Sequence, residues 1–173
     1  DMGYSDLGCY GGEIETPHLD KLAAGGLRFT NFYSENMCWV SRAAMLTGVW
    51  HLTSFHQKGL HPRCVTIPEI LRDGGYSTLM SGKWRLGWPR QESSPTDRGF
   101  DSFYGIIDGA SSFFAPASLM RDKTPIKVRD LPADYYITDA ISGNAVEYIE
   151  KADRKKPLLL YVAYTAAHWP LHA

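Results

Sequence analysis

The chain has 173 residues, 44% of them hydrophobic and 21% charged, a balance that excludes disordered and fibrous classes and fits one globular domain. Its net charge of −1 provides no broad basic field for nucleic acid or anionic lipid, so an anionic ligand has to be read by a few placed cations. The longest apolar stretch, Pro157 to Leu171, is too short to span a bilayer and carries Thr165 and His168, which excludes it as a membrane span.

Taken in chain order, Thr16-Pro17 offers a helix N-cap with proline at the first helical position. Leu19, Leu22 and Ala23 share one face of that helix, and Gly25-Gly26 end it. The alternating, aromatic-rich segment Leu27 to Tyr33 suits a strand. Residues Ser41 to Thr47 lack breakers and start a second helix, which Gly48 ends. Thr66-Ile67-Pro68-Glu69 is a capping-box pattern opening a third helix that stops at Gly74-Gly75, and Tyr76 to Met80 follows as a strand. Ile137, Ile141, Ala145, Tyr148 and Ile149 recur at helical spacing and predict a helix over Ala133 to Ala152. Pro157 to Ala163 is a strand continuous enough in apolar residues to be covered on both faces. Strands alternating with helices imply an α/β layer architecture with a mostly parallel sheet.

Ligands of such sheets sit at the carboxyl ends of strands. Lys83 and His168 both lie just past strands and are expected at that edge. Reactive groups concentrate in four segments: Asp1 to Asp6, Cys38 to Arg42, Ser81 to Gly87 and Thr165 to His172. Together they suggest an anion site, with Arg42 and Lys83 as fixed positive charge, a helix start near Ser41 aiming N–H groups at the anion, and Cys38 placed as a nucleophile. Cys9, Cys38 and Cys64 are too few and too irregularly spaced for a disulfide framework or a zinc site, so at least one is unpaired within the chain. His18, His51, His56, His61 and His172 show no ligand spacing and read as surface or loop histidines, and Phe113-Phe114 as cleft wall or core.

These residues carry a resemblance. The opening Asp1-Met2-Gly3-Tyr4-Ser5-Asp6-Leu7-Gly8-Cys9-Tyr10-Gly11 resembles the start of the sulfatase family, where two aspartates precede a similar run and only the second stands here. Cys38-Trp39-Val40-Ser41-Arg42 through Leu46-Thr47-Gly48 is similar to the family's Cys-x-Pro-Ser-Arg signature, with Val40 in the place of proline. Gly82-Lys83-Trp84-Arg85-Leu86-Gly87 resembles its second signature, with Arg85 in the place of a histidine. Arg98 to Gly105 and Tyr161 to Leu171 also fit, so the resemblance covers the whole chain.

The resemblance implies an alkaline phosphatase-like α/β sandwich with a mostly parallel central sheet, present over 1–173 as an incomplete N-terminal part of the catalytic domain. It implies a sulfuric-ester hydrolase whose signature cysteine, Cys38, is oxidised to formylglycine by a formylglycine-generating enzyme. One hydroxyl of the formylglycine hydrate attacks sulfur, and the other later loses a proton to expel sulfate. Arg42 matches the cation that stabilises the hydrate, Lys83 a sulfate-oxygen clamp, and His168 the histidine near sulfate and the leaving oxygen. Arg85 is expected to hold substrate anion, because arginine has no acceptor with which to take a proton. Asp1 matches one ligand of a bound Ca2+, with Cys38 the second implied metal-site residue; a hard cation of this kind takes several oxygen ligands. The implied partner is a sulfated small molecule or sulfated glycan, and the implied setting is a periplasmic, secreted or lysosomal-type compartment. Two other readings stand beside this one: a catalytically silent homologue that keeps the fold, and a phosphate or phosphonate ester hydrolase of the same superfamily.

Overall fold

The structure is a computed structural model that describes residues 2–56, 59–87 and 93–171, with Phe55 and His56 described at the backbone only. The chain divides into two compact units, Asp1–Ser34 and Glu35–Ala173.

The first unit holds two 3-10 turns, Tyr4–Asp6 and Gly8–Tyr10, followed by helix α1, Pro17–Ala24. Thr16 stands at the N-cap position, as the Thr-Pro pair suggests, but its side chain does not cap the helix. Its hydroxyl instead accepts from Gly8 N at 2.9 Å and donates to Asp20 Oδ1 at 2.8 Å, tying helix to turn. The strand expected over Leu27 to Tyr33 is absent: that segment joins no ladder, and Leu27, Phe29, Phe32 and Tyr33 are exposed. Alternation marks a strand only where one face is covered and a partner strand takes the backbone groups; here neither condition holds. Leu19 and Leu22, which share a face of α1, are both exposed.

The second unit begins with α2, Cys38–Thr47, and a four-residue helical turn α3, His51–Ser54, leading into a two-stranded antiparallel pair, β1 Phe55–His56 and β2 Gly59–Leu60. Then come α4, Ile67–Asp73, β3, Ser77–Gly82, and a 3-10 turn at Pro95–Arg98. The strands β4, Ser102–Ile106, β5, Leu119–Arg121, and β6, Thr124–Pro125, precede α5, Ile137–Lys151, and β7, Leu158–Ala163. Five of these strands form one sheet in the order β6-β5-β4-β3-β7. Its longest ladder is parallel, β3 beside β7 from Ser77↔Leu158 to Gly82↔Ala163, and β4 joins β3 in parallel on the other side. Only the short strands β5 and β6 add antiparallel pairings. The architecture is therefore a mixed α/β sandwich on a mostly parallel sheet.

Side-chain alternation divides the core into two layers. On one face Met80, Phe103 and Ala163 pack with Ala43 and Leu46 of α2 and with Trp84 and Phe100. On the other, Tyr104, Ile106 and Leu119 pack with Ile137 and Ile141 of α5, and Ser81 Oγ donates to Ile141 O at 2.8 Å. The periodicity of α5 is confirmed by burial of Ile137, Ile141 and Ala145, whereas Ile149 is exposed. The helix starts at Ile137 rather than Ala133, because 132–135 form a turn closed by Tyr135 N to Pro132 O that brings the Tyr135 hydroxyl to 2.9 Å from that of Tyr104. The strand after α4 also lies later than expected, running to Gly82. β7 is half-buried rather than covered on both faces, since it sits at the sheet edge with β3 as its one neighbour among the described residues.

The capping box of α4 is present as the sequence indicates: Glu69 N donates to Thr66 Oγ1 at 3.3 Å and Thr66 N to Glu69 Oε2 at 2.7 Å. Buried Arg98 extends this cap, its Nε donating to Glu69 Oε1 at 2.9 Å and its Nη2 to Cys64 O. Burial pushes the Glu69 carboxyl up, but the Arg98 and Thr66 hydrogen bonds outweigh it and hold the group below its ordinary value of 4.5. A depressed folded value means that the ionised group stabilises the fold above 4.5 and that this contribution is lost as pH falls through the folded value. Glu69→Gln is expected to lower stability at pH 7 by roughly 1–2 kcal/mol. In denaturant titrations the difference from the parent should shrink toward zero below pH 4; a constant difference across pH would contradict the assignment.

Candidate active site

The carboxyl end of the parallel sheet is where three backbones pass closest. At Gly82, φ 123°, an added Cβ would lie 2.0 Å from Ala163 O, and at Gly105, φ 154°, it would lie 1.8 Å from Gly82 O. No side chain fits there, so β7, β3 and β4 converge with only hydrogens between them. The chain leaving β3 is then pinned residue by residue: Lys83 N donates to Ala163 O at 2.7 Å, Trp84 N to Ile106 O at 2.9 Å and Arg85 N to Ile107 O at 3.1 Å. Trp84 is fully buried, its Nε1 donating to Ser93 O at 2.8 Å, so this segment is held from both backbone and side chain.

Lys83 is only 1% exposed. Burial pulls its ammonium down from the ordinary 10.5; Arg42 and Arg85 pull the same way, while a hydrogen bond and electrostatic attraction to Cys38 push back. The structure therefore brings Cys38, Arg42, Lys83 and Arg85 to one locus at the strand ends.

Cys38 opens the first turn of α2, three residues earlier than the helix start expected at Ser41. The N-cap residue Met37 makes no side-chain cap hydrogen bond, and the N-terminus of the helix, with the positive end of its dipole, lies at the same end as the thiol. Val40, where the signature of the resembled family has proline, is 1% exposed: the first helical turn carries it into the core, a setting that suits an apolar side chain. Arg42, one turn along, donates from Nη1 to Lys83 O at 2.7 Å and to the Tyr161 hydroxyl at 3.0 Å. Arg85 adopts φ 58°, and its exposed side chain lies against Gly109, where a Cβ would come 2.6 Å from Nε.

His168 belongs to the turn just beyond β7, with its N donating to Thr165 O at 2.9 Å and its Nδ1 2.7 Å from Trp169 O. A carbonyl only accepts, so this contact keeps the proton on Nδ1 and leaves Nε2 as the outward nitrogen. β3 and β7 end side by side, so Lys83 and His168 leave adjacent strands at the same edge; the contacts of His168 are nonetheless confined to its own turn. Asp1 lies outside the described residues. Among the described residues no three His, Cys, Asp or Glu side chains come together to hold a metal ion, Cys38 included. His18 is exposed, His51 pairs with Glu35 at 3.0 Å, and all three cysteines are free thiols. Phe113 is core, whereas Phe114 is exposed against Tyr136.

Sequence reasoning missed two members of this edge. Tyr161 reads as one more apolar strand residue, and Thr165, 4% exposed with its hydroxyl meeting no partner among the described residues, opens the reactive segment Thr165 to His172 without a role of its own. Neither carries a spacing signal; only the pairing of β3 with β7 exposes them. In the first unit, a cavity of about 540 Å³ lined by Cys9, Asp20 and Arg28 uses its polar groups internally, Asp20 accepting from Cys9 N and Arg28 donating to Cys9 O.

The family model described as Sulfatase matches residues 1–173. Arylsulfatase J of Mus musculus is 36% identical over 190 residues, an alignment that takes in 100% of this chain and 32% of that protein. Among solved structures, Ps i-CgsB in complex with k-i-k-neocarrahexaose superposes with a TM-score of 0.88 at 30% identity, covering 100% of this chain and 44% of that one. The protein BT4656, solved with its substrate D-glucosamine-2-N,6-O-disulfate, gives a TM-score of 0.81 at 31% identity over 98% of this chain and 33% of that one. The chain thus spans less than half the length of these relatives.

A lysine buried beside two arginines costs stability. Because the folded value lies below 10.5, the unfolded state binds more protons between the two values, so stability rises with pH through that window. Lys83→Met is expected to raise stability at pH 7 by about 1–2 kcal/mol. The gap should narrow as pH approaches 10.5 in denaturant titrations; a variant less stable than its parent at pH 7 would show that Lys83 is a net structural contributor.

Proposed function

The chain belongs to the sulfatase family, and on that premise we propose that the protein carrying it hydrolyses a sulfate ester to an alcohol and inorganic sulfate at the Cys38 edge of the sheet. The observation that carries this reading is the convergence at the strand ends of Cys38, Arg42 and Lys83, whose buried ammonium is attracted to Cys38. Fixed cations in a dry site stabilise charge that develops on nonbridging and leaving oxygens, and they do so without reorganising during the reaction.

Cys38 is the position for formylglycine, and its surroundings fit the group: helix N–H donors, an ammonium and a guanidinium suit oxygens carrying negative charge. A formylglycine there supplies a hydroxyl nucleophile toward sulfur and a second hydroxyl whose deprotonation releases sulfate. Lys83 clamps a sulfate oxygen as a short, immobile point charge. Arg42 offers the fork of its guanidinium to the same anion. His168 serves the leaving oxygen through Nε2, the nitrogen not engaged by Trp169 O. Arg85 adds a third cation beside Lys83 and binds anion without accepting a proton. The family implies a divalent cation as well; among the described residues no three His, Cys, Asp or Glu side chains come together to hold it.

The relatives support a sulfated glycan or a sulfated small molecule as substrate, since BT4656 acts on a glucosamine disulfate and Ps i-CgsB binds a neocarrahexaose. A formylglycine-generating enzyme is the proposed maturation partner, and analogy with the family is what supports a periplasmic, secreted or lysosomal-type setting.

Mass spectrometry of the Cys38 peptide after co-expression with a formylglycine-generating enzyme should show the aldehyde and its hydrate. An unmodified thiol throughout would favour the silent-homologue reading. Cys38→Ala should lower turnover of 4-nitrocatechol sulfate by about a thousandfold or more. Faster turnover of an aryl phosphodiester than of the sulfate would instead assign the chain to phosphoester chemistry. Arg85→His restores a proton acceptor and should raise kcat at neutral pH by about tenfold; an unchanged or lower kcat would show that Arg85 acts through its charge.

A further inference from the structure

Arg42 reaches from α2 across the ends of two parallel strands, and one of its nitrogens makes both contacts. Nη1 donates to Lys83 O at 2.7 Å and to the Tyr161 hydroxyl at 3.0 Å. A guanidinium carries five N–H groups in one rigid plane, two of them on Nη1. These two bonds therefore use every donor on that nitrogen and set the rotation of the plane. Among the described residues Nε and Nη2 meet no acceptor, so the opposite fork is left for an outside one. A fork with two parallel donors matches two oxygens of a tetrahedral anion.

The carbonyl of Lys83 by itself would leave the plane free to pivot about a single bond. The second anchor, Tyr161, is itself held: it lies opposite Met80 in the β3–β7 ladder, and its ring stacks on Phe100 with centroids 6.3 Å apart and planes 15° from parallel. We propose that Tyr161 is a positioning residue whose hydroxyl fixes the orientation of the Arg42 guanidinium and so the geometry of the anion clamp. The inference rests on the reading of Arg42 as an anion-binding group. It explains why a hydroxyl-bearing ring occupies a half-buried position in β7 next to leucine and valine.

The test is Tyr161→Phe in the full-length protein, since phenylalanine keeps the ring on Phe100 and removes only the hydroxyl. Two readouts are taken: kcat and KM for 4-nitrocatechol sulfate, and affinity for inorganic sulfate by titration calorimetry. Both kcat/KM and sulfate affinity should fall by about tenfold, with an unchanged melting temperature. In an Arg42→Met background, which keeps the apolar stem, Tyr161→Phe should cause no further loss, because a residue that acts through Arg42 has nothing left to orient. The same tenfold loss in that background, or unaltered sulfate affinity in the single variant, would overturn the proposal. Sulfate binding that depends on Tyr161 in a protein that turns over no sulfate ester would leave this inference standing and sink the proposed activity. A parent that binds no inorganic sulfate would overturn both.

Discussion

At the carboxyl end of the sheet, three backbones cross with no side chain between them. A β-carbon on Gly82 would press on Ala163 O, and one on Gly105 would press on Gly82 O. This contact fixes how far β7, β3 and β4 can extend before they must part, and it delivers the next residue, Lys83, into a position where its backbone and its ammonium are both enclosed. Arg42 closes the arrangement from the helix side by bonding Lys83 O. The helix, the strand end and the edge strand are thereby locked around one point. The chemistry proposed for the chain is a consequence of that lock, because charge stabilisation without reorganisation requires cations that do not move.

The same lock is costly. A buried ammonium near two guanidinium groups disfavours its own charge, and the lowered proton affinity of Lys83 records that conflict. Elsewhere the second unit is built without such tension. Its two apolar layers are dense in aromatic and branched side chains, and several of its buried polar groups are paired, as in the Thr66–Glu69–Arg98 cap and the Tyr104–Tyr135 hydroxyl pair, although the hydroxyls of Ser54, Thr138 and Tyr148 meet no partner among the described residues. A fold that gathers a buried ammonium and two guanidinium groups at one sheet edge has the charge distribution expected of a binding or catalytic site.

The two departures from the family signatures acquire separate meanings in three dimensions. Val40 is absorbed by the core, since α2 begins at Cys38 and turns the residue inward. Arg85 is accommodated on the outside: it lies in the left-handed region of backbone space, with room for its guanidinium because residue 109 is glycine. The first concerns how the signature cysteine is presented, and the second concerns which charges lie beside Lys83.

The sequence by itself determined the family, the α/β class, the α4 capping box and the buried stripe of α5. All of these rest on local signals: motif spacing, cap chemistry and periodicity that neighbours along the chain enforce. Tertiary structure alone decided the rest. Leu27 to Tyr33 alternates as a strand would, yet among the described residues it has no partner strand and stays irregular and exposed. Tyr161 looks like any strand residue until parallel pairing places its hydroxyl under a guanidinium 119 positions away along the chain. Contacts of that range leave no periodic trace in the sequence, because they depend on which strands become neighbours and not on what any one strand contains.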